Sequence, residues 1–357
     1  MQNSKFILAA ILSVMILVGA VSLPAQTSQW SAVNSAADAA RKRGENPLAQ
    51  SLYKQAIEMQ QKSLGAINAQ VAISLNNLAV FYQDQAMYPQ AEQAYRQALA
   101  ILEKDPRQKA SVALTLNNLA ALYYDQGANE KAAPLYSRSL AILAKLGSKQ
   151  NANQAVAAAG LADIYRSSNQ DAAAEPLYLQ ALTLWNVQGK TESADAADAL
   201  FHLGEIYHSQ TRNDEAAPML AHALAIWENN SRMDTTEAIT AQAALGEIYR
   251  AQGKYTQAEP LLSRALAAQE RKLGADHLDV AASLNNLAIL YYCEGEYATA
   301  EPLYRRALEI REKNLGSDDP AVLQTMQIYA SVLRQEGRSA DARKVEARAT
   351  AASAAHM

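Results

Sequence analysis

The sequence predicts an all-α chain, a solenoid of about eight stacked helix-turn-helix units. Three observations lead there. A short phrase, Leu-Ala/Gly-x-x-Tyr, starts at Leu78, Leu119, Leu161, Leu203, Leu245 and Leu287, in steps of 41, 42, 42, 42 and 42 residues. Self-similarity at such a period marks a repeat array and overrides a domain count taken from length. The composition is alanine-rich and 50% hydrophobic, with only 14 glycines in 357 residues, as helices prefer. Inside each period the apolar residues keep helical spacing.

Residues 1–25 stand apart from the array. Lys5 is their one charged side chain, and Phe6 to Val21 is an apolar run broken by Ser13 and Gly19. Val18-Gly19-Ala20 and Leu23-Pro24-Ala25 both offer small residues for cleavage. A positive start, an apolar middle and a small-residue site are the layout of a secretory signal peptide. The run falls short of the roughly 20 apolar residues of a membrane span. The expectation is therefore export, to a periplasmic or secreted location. An uncleaved segment anchoring the chain to a membrane is the alternative. A single cysteine, Cys293, leaves no intramolecular disulfide framework. The net charge of −4 supplies no basic field for nucleic acid.

Take the leucine of each phrase as position zero. At +8 come Ala86, Gly127, Asn169, Thr211, Gly253, Gly295 and Gly337, residues placed to end a first helix in a left-handed turn. At +13 every copy has alanine: Ala91, Ala132, Ala174, Ala216, Ala258, Ala300 and Ala342. So small a residue, always there, fits a close approach of two helices. At +17 follow Tyr95, Tyr136, Tyr178, Leu220, Leu262 and Tyr304, and at +20 and +21 Ala-Leu or a near variant. These offsets share one helical face. Each unit therefore reads as helix A, a turn, then helix B. One period earlier, Ala36, Gly44, Ala49 and Tyr53 keep the register, and one period later Tyr329, Gly337 and Ala342 do. The array spans 28–346, with units near 28–63, 70–104, 111–146, 153–188, 195–230, 237–273, 279–315 and 320–350. Residues 351–357 are expected to be a frayed tail. Prolines at +15, Pro134 to Pro302, fall early in five successive B helices, where they disturb only the first turns. Trp185 and Trp227, both at +24, read as packing between units.

At these positions the chain resembles the tetratricopeptide repeat family. Leu203-Gly204-Glu205-Ile206-Tyr207 matches its signature literally, and alanine replaces the glycine in most copies. The period exceeds the family's usual length of about 34 residues. The strings from Leu284 to Ala288 and from Ala300 to Ile310 resemble the longer repeats of kinesin light chains. Those proteins act on cytoplasmic cargo, so only architecture carries over to a chain expected to be exported. HEAT and armadillo repeats reach this period too; the alanine at +13 and the turn at +8 favour the tetratricopeptide reading.

The resemblance implies a right-handed superhelix whose inner groove is lined mainly by helix A. The core of helix A falls at −3, 0, +1 and +4, leaving −5, −2, −1, +2 and +5 for the groove. There lie Asn76, Asn77, Asn117, Asn118, Asn285 and Asn286, whose amides offer a donor and an acceptor each to an extended peptide backbone. In similar repeat proteins asparagine here grips the ligand backbone. The plainer reading is solvated residues or a bond between neighbouring helices. The middle units carry Asp163, Glu205 and Glu247 at +2 and Arg166, His208 and Arg250 at +5, acids beside bases at helical spacing. They are either local ion pairs or a charged band that selects a client. Tyr124 and Tyr292 flank the band, and Arg334 shares the row.

No catalytic constellation appears. His202 and His208 sit on different helix faces and make no metal pair. There is no His-Glu-x-x-His, no phosphate loop and no nucleophile elbow. The expected function is a non-enzymatic scaffold that holds a peptide segment or a helix of a partner protein in the groove, with no cofactor and no metal. A self-associating structural array is the main alternative. An enzyme or small-molecule binder built on the charged band is the lesser one.

Overall fold

A computed structural model describes residues 23–147 and 151–354. The signal-peptide reading of residues 1–25 therefore lies almost wholly outside the described residues. Among those residues the chain is sixteen α-helices and one short 3-10 turn, with no strand. In order they are α1 (Leu23–Lys42), α2 (Asn46–Leu64), α3 (Ala69–Asp84), α4 (Tyr88–Leu102), α5 (Lys109–Asp125), α6 (Asn129–Leu146), α7 (Asn151–Ser167) and α8 (Asp171–Val187). They continue with α9 (Ala194–Ser209), α10 (Asn213–Asn229), α11 (Thr236–Ala251), α12 (Tyr255–Leu273), α13 (Leu278–Glu294), α14 (Tyr297–Leu315), α15 (Pro320–Gln335) and α16 (Ser339–Ala354). Odd-numbered helices are the A helices of eight repeats and even-numbered ones the B helices. α16 runs through Ala354, so 351–354 extend a helix that the sequence ended earlier.

The chain divides into two compact halves, one ending at Gln170 and one beginning at Asp171. Within each half an A helix packs hardest on the B helix that follows it, then on the B helix before it. Neighbouring A helices touch more lightly. This is the solenoid expected from the period.

The turns explain the regularity. All eight +8 residues, from Gly44 to Gly337, have φ between 55° and 82°. The next backbone N–H reaches back to the carbonyl at +4: Met87 to Tyr82, Ala128 to Tyr123, Arg212 to Tyr207, Lys254 to Tyr249 and Glu296 to Tyr291, each at 2.8 Å. That bond satisfies a helix-end carbonyl and starts helix B at a fixed angle. Several A helices begin on a side-chain cap. The acceptors are Asn68, Ser193, Thr235, His277 and Asp319.

The alanine at +13 is fully buried in every repeat from Ala49 to Ala342. Position +1 shows a finer rule. Where +17 is tyrosine (Tyr95, Tyr136, Tyr304), +1 is alanine (Ala79, Ala120, Ala288), all buried. Where +17 is leucine, +1 is glycine. A Cβ on Gly204 would lie 2.8 Å from Leu220 Cγ and Cδ2, and one on Gly246 2.7 Å from Leu262 Cγ. Leucine branches where a planar ring does not, so its branch takes the space of the methyl group. Position +3, from Phe81 to Val332, is buried as well, which widens the core face beyond the expected offsets.

Repeats are also stapled by hydrogen bonds. Tyrosine hydroxyls donate to a glutamate on the preceding B helix: Tyr123 to Glu92 at 2.8 Å, Tyr291 to Glu259 at 2.7 Å and Tyr329 to Glu301 at 2.7 Å. Arg212 lies 4.0 Å from the Tyr207 ring centroid and bonds Glu175 at 3.0 Å, a variant of the same staple. Trp185 and Trp227 are buried. Trp227 donates from Nε1 to Asp198 at 3.2 Å and its ring lies tilted against Phe201 at 5.5 Å, so both indoles serve packing.

Candidate interaction face on the A helices

The exposed face of the A helices holds most of the residues that the sequence singled out, but wires them differently. In the N-terminal half, Asn76 and Asn117 are 8% and 3% exposed. Neither lines an open groove. Asn76 Oδ1 accepts from Asn118 Nδ2 at 3.1 Å, and Asn117 Nδ2 donates to the Asn153 carbonyl at 2.9 Å. Both bonds join neighbouring A helices. Position −2 is drawn inward because the next A helix covers it, so these two asparagines bind the repeats to each other. Gln83 donates to Asp125 at 2.7 Å, one further rung. Asn77 and Asn118 remain half-buried at −1.

Tyr124 is 36% exposed. Partial burial raises its hydroxyl pKa, the nearby Asp163 carboxylate adds to the rise, and Arg166 opposes it. Asp163 and Arg166 are half-buried and engaged.

Position −5 belongs to this face as well. Ile73, Leu114 and Val156 stand there on three successive A helices, 40%, 40% and 42% exposed. Three aliphatic side chains in one register, left uncovered by the fold, are an apolar row beside the polar ladder. The signal was present in the sequence as an apolar residue at −5 of three consecutive copies.

In the C-terminal half, the acid and base on each helix do not simply pair with each other. Glu247 accepts from Asn286 Nδ2, from the following A helix, and lies 4.0 Å from His208 Nε2, on the preceding one. His208 Nδ1 meets Asn213 Oδ1 at 3.0 Å. Glu205 has His202 at 3.8 Å on its own helix. Glu247 thus ties three A helices together instead of closing on Arg250. The Arg250 guanidinium is half-buried, its Nε is fully covered without a hydrogen bond, and its charge acts on Tyr304. Asn285 Oδ1 is also buried without a partner. Tyr292 packs edge-on against Tyr297 at 5.3 Å. Arg334 is held by Glu346 at 2.6 Å, so it closes the last repeat on itself. Position −5 turns polar or small here, with Asp198, Thr240, Ala282 and Gln324.

This stacking of A-turn-B units in constant register decides the family. The tetratricopeptide repeat family matches residues 29–104, 111–186, 172–229, 237–313 and 279–355. The chain belongs to the tetratricopeptide repeat family. No curated protein sequence matches it. Among solved structures it is similar to BtubC (BKLC) from P. vanneervenii, at 27% identity over 64% of this chain and 92% of that one, with a TM-score of 0.48. A Podosopora anserina protein of nearly identical TPR-like repeats, described as a kinesin light chain, aligns at 24% identity over 56% and 95% of the two chains, TM-score 0.47. YrrB, a TPR protein with an unusual peptide-binding site, aligns at 18% identity over 63% and 96%, TM-score 0.46. Tetratricopeptide repeat proteins generally mediate protein–protein interactions, and no catalytic family is indicated for this one. Among the described residues no group of acids, histidines and cysteine is placed to hold a metal ion, and no helix is long and apolar enough to cross a membrane. Cys293 is exposed and in no disulfide.

Proposed function

We propose that this tetratricopeptide repeat protein is a non-enzymatic scaffold, and that its A-helix faces hold a peptide segment or a helix of a partner protein. The exposed row of Ile73, Leu114 and Val156 beside Tyr124 supports this reading best. The fold does not need these side chains outward. A partner that covers them removes apolar area from water at about 25 cal/mol per Å². The polar residues of the same face already hydrogen-bond across repeats, so they position the row and set specificity. The face is preformed, which limits the ordering cost of binding.

Two finer assignments belong with this reading. The 42-residue spacing of the phrase and the strings at 284–288 and 300–310 support a kinesin light chain-like subtype. The layout of residues 1–25 supports export across a membrane.

A paired capture tests the binding claim. One bait is the chain from Gln26 onward. The other carries Ile73→Ser, Leu114→Ser, Val156→Ser and Tyr124→Ala, with unchanged far-UV circular dichroism. A protein retained by the first and lost by the second is the expected result. Equal retention by both sinks the A-face reading. N-terminal sequencing of the mature protein tests export: a start at Met1 on a chain recovered with the cytoplasm overturns it.

A further inference from the structure

The junction between the second and third repeats departs from the others. It is the one place where the period is 41 residues. α4 has 15 residues, the fewest of the described α-helices, and α6, its neighbour one repeat on, has 18. The other described junctions carry a positive-φ residue, such as Gly65 or Gly274; residues 103–108 have none and end in a 3-10 turn at Pro106–Gln108 instead. α4 therefore stops short, and past its end Ala141, Lys145 and Leu146 of α6 are exposed while Leu143 stays buried.

Two cavities lie along the α4–α6 boundary, one at the end of α4 and one beside its last full turns. One, about 500 Å³, has Leu102 and Val112 at its floor and Ile142 and Leu146 on its flank. The other, about 430 Å³, is bounded by Leu99, Leu119 and Leu135. Glu103, which lines both, pairs with Arg138 at 2.7 Å. The flank of α6 repeats at helical intervals: Leu135, Arg138, Ile142 and Leu146. That 3-4-4 spacing is close to a heptad seam, and no helix among the described residues lies in it.

Charge narrows the occupant. The cavities are lined by Arg96, Lys109, Lys131, Arg138 and Lys145 against only Glu103 and Asp105. Both acids are taken, by Arg138 and Arg107, and Arg96 is itself paired with Glu92 at 2.8 Å, so Lys109, Lys131 and Lys145 set the charge of the rim. Lys109 and Lys145 are exposed and have no ion-pair partner among the described residues. A chain of net charge −4 has thus gathered a basic rim around an apolar floor.

We propose that the cleft between α4 and α6 is a second docking surface, fitted to an acidic amphipathic helix of a partner protein. Leucine-like side chains of that helix enter the two cavities, and its carboxylates meet Lys109, Lys131 and Lys145. From Lys131 to Lys145 the cleft runs ~21 Å, the length of about fourteen helical residues. The surface is separate from the exposed row of Ile73, Leu114 and Val156: α4, α6 and the junction form its walls, and Lys109, Val112, Leu119 and Tyr123 of α5 close its base.

The test is fluorescence anisotropy with the full chain and two labelled helical peptides of about fourteen residues. Both carry leucine at heptad a and d positions; one has glutamate and the other lysine at the flanks. The glutamate peptide binds, and added salt weakens it. Lys109→Glu with Lys145→Glu raises its Kd at least about tenfold, as like charges meet across the rim. Ala141→Trp, on the exposed α6 flank of the larger cavity and uncharged, also weakens binding by filling the cleft. Ile73→Ser with Leu114→Ser leaves binding unchanged. Equal affinity for the two peptides would overturn the proposal. So would indifference to both cleft variants, or association with phosphatidylglycerol vesicles in place of the peptide.

Discussion

Replacing Gly204 by alanine should destabilise the C-terminal half, against the usual effect of that change in a helix. Alanine inside a helix normally gains about 0.5–1 kcal/mol over glycine. Here the new Cβ would sit 2.8 Å from two carbons of Leu220, a side chain with no measurable exposure. Overpacking of a filled core costs about 1–3 kcal/mol. The balance is a loss of about 0–2.5 kcal/mol, centred near 1 kcal/mol, or a Tm lower by a few degrees for a body of this size. The same geometry names its own rescue. Leu220→Tyr recreates the pairing already present at Ala120 with Tyr136 and at Ala288 with Tyr304. Gly204→Ala with Leu220→Tyr should therefore be more stable than the sum of the two single changes, with a coupling of at least about 1 kcal/mol. Urea unfolding followed by far-UV circular dichroism reads all four corners of the cycle. A Gly204→Ala protein as stable as the parent, or a cycle without coupling, would refute the packing rule.

Other outcomes follow from the same structure. Thr211 holds φ at 60° as a β-branched residue, so Thr211→Gly should raise stability by roughly 1 kcal/mol, read as a higher Tm. Burial first, then the bonds to Glu259 and Glu301, push Tyr291 and Tyr329 up to about 12. In the unfolded chain a tyrosine titrates near 10. Stability should therefore hold below about pH 10 and fall as the pH rises through about 12, because only the unfolded chain releases its protons early. Urea midpoints against pH, with tyrosinate absorbance alongside, test this, and Tyr329→Phe should flatten the fall. Glu301→Ala leaves a buried hydroxyl on Tyr329 without its acceptor, a loss of about 1–3 kcal/mol in thermal unfolding.

The repeat frame was legible because each of its parts is a local demand. A residue at +8 must take a left-handed turn, an alanine at +13 must admit another helix, and both requirements recur at one spacing. Trp185 and Trp227 share one offset on the same ground, and both are buried. The wiring of the A face was less legible. Asn76 and Asn117 look solvent-facing on a single helix and become buried only when the next repeat is laid beside it. Glu247 and Arg250 are neighbours in sequence. Yet neighbouring A helices meet with a stagger of about one turn, +5 beside +2 beside −1, which brings His208 and Asn286 to Glu247, and those contacts win. The Leu–Gly and Tyr–Ala pairing of +17 with +1 was written in the sequence. It has meaning only once the position of a missing Cβ is known.

The short junction after α4 has a consequence for anything that reads this array. A ladder whose rungs are all alike offers no landmark, so a partner that grips one rung can grip the next as well. It would then occupy a smear of staggered positions. Dropping one residue between the second and third repeats breaks that translational symmetry once, at a known place. It acts as an index mark on a ruler. A partner that touches the mark binds at a counted distance from every other rung of the same half, and its own parts are presented in a fixed order.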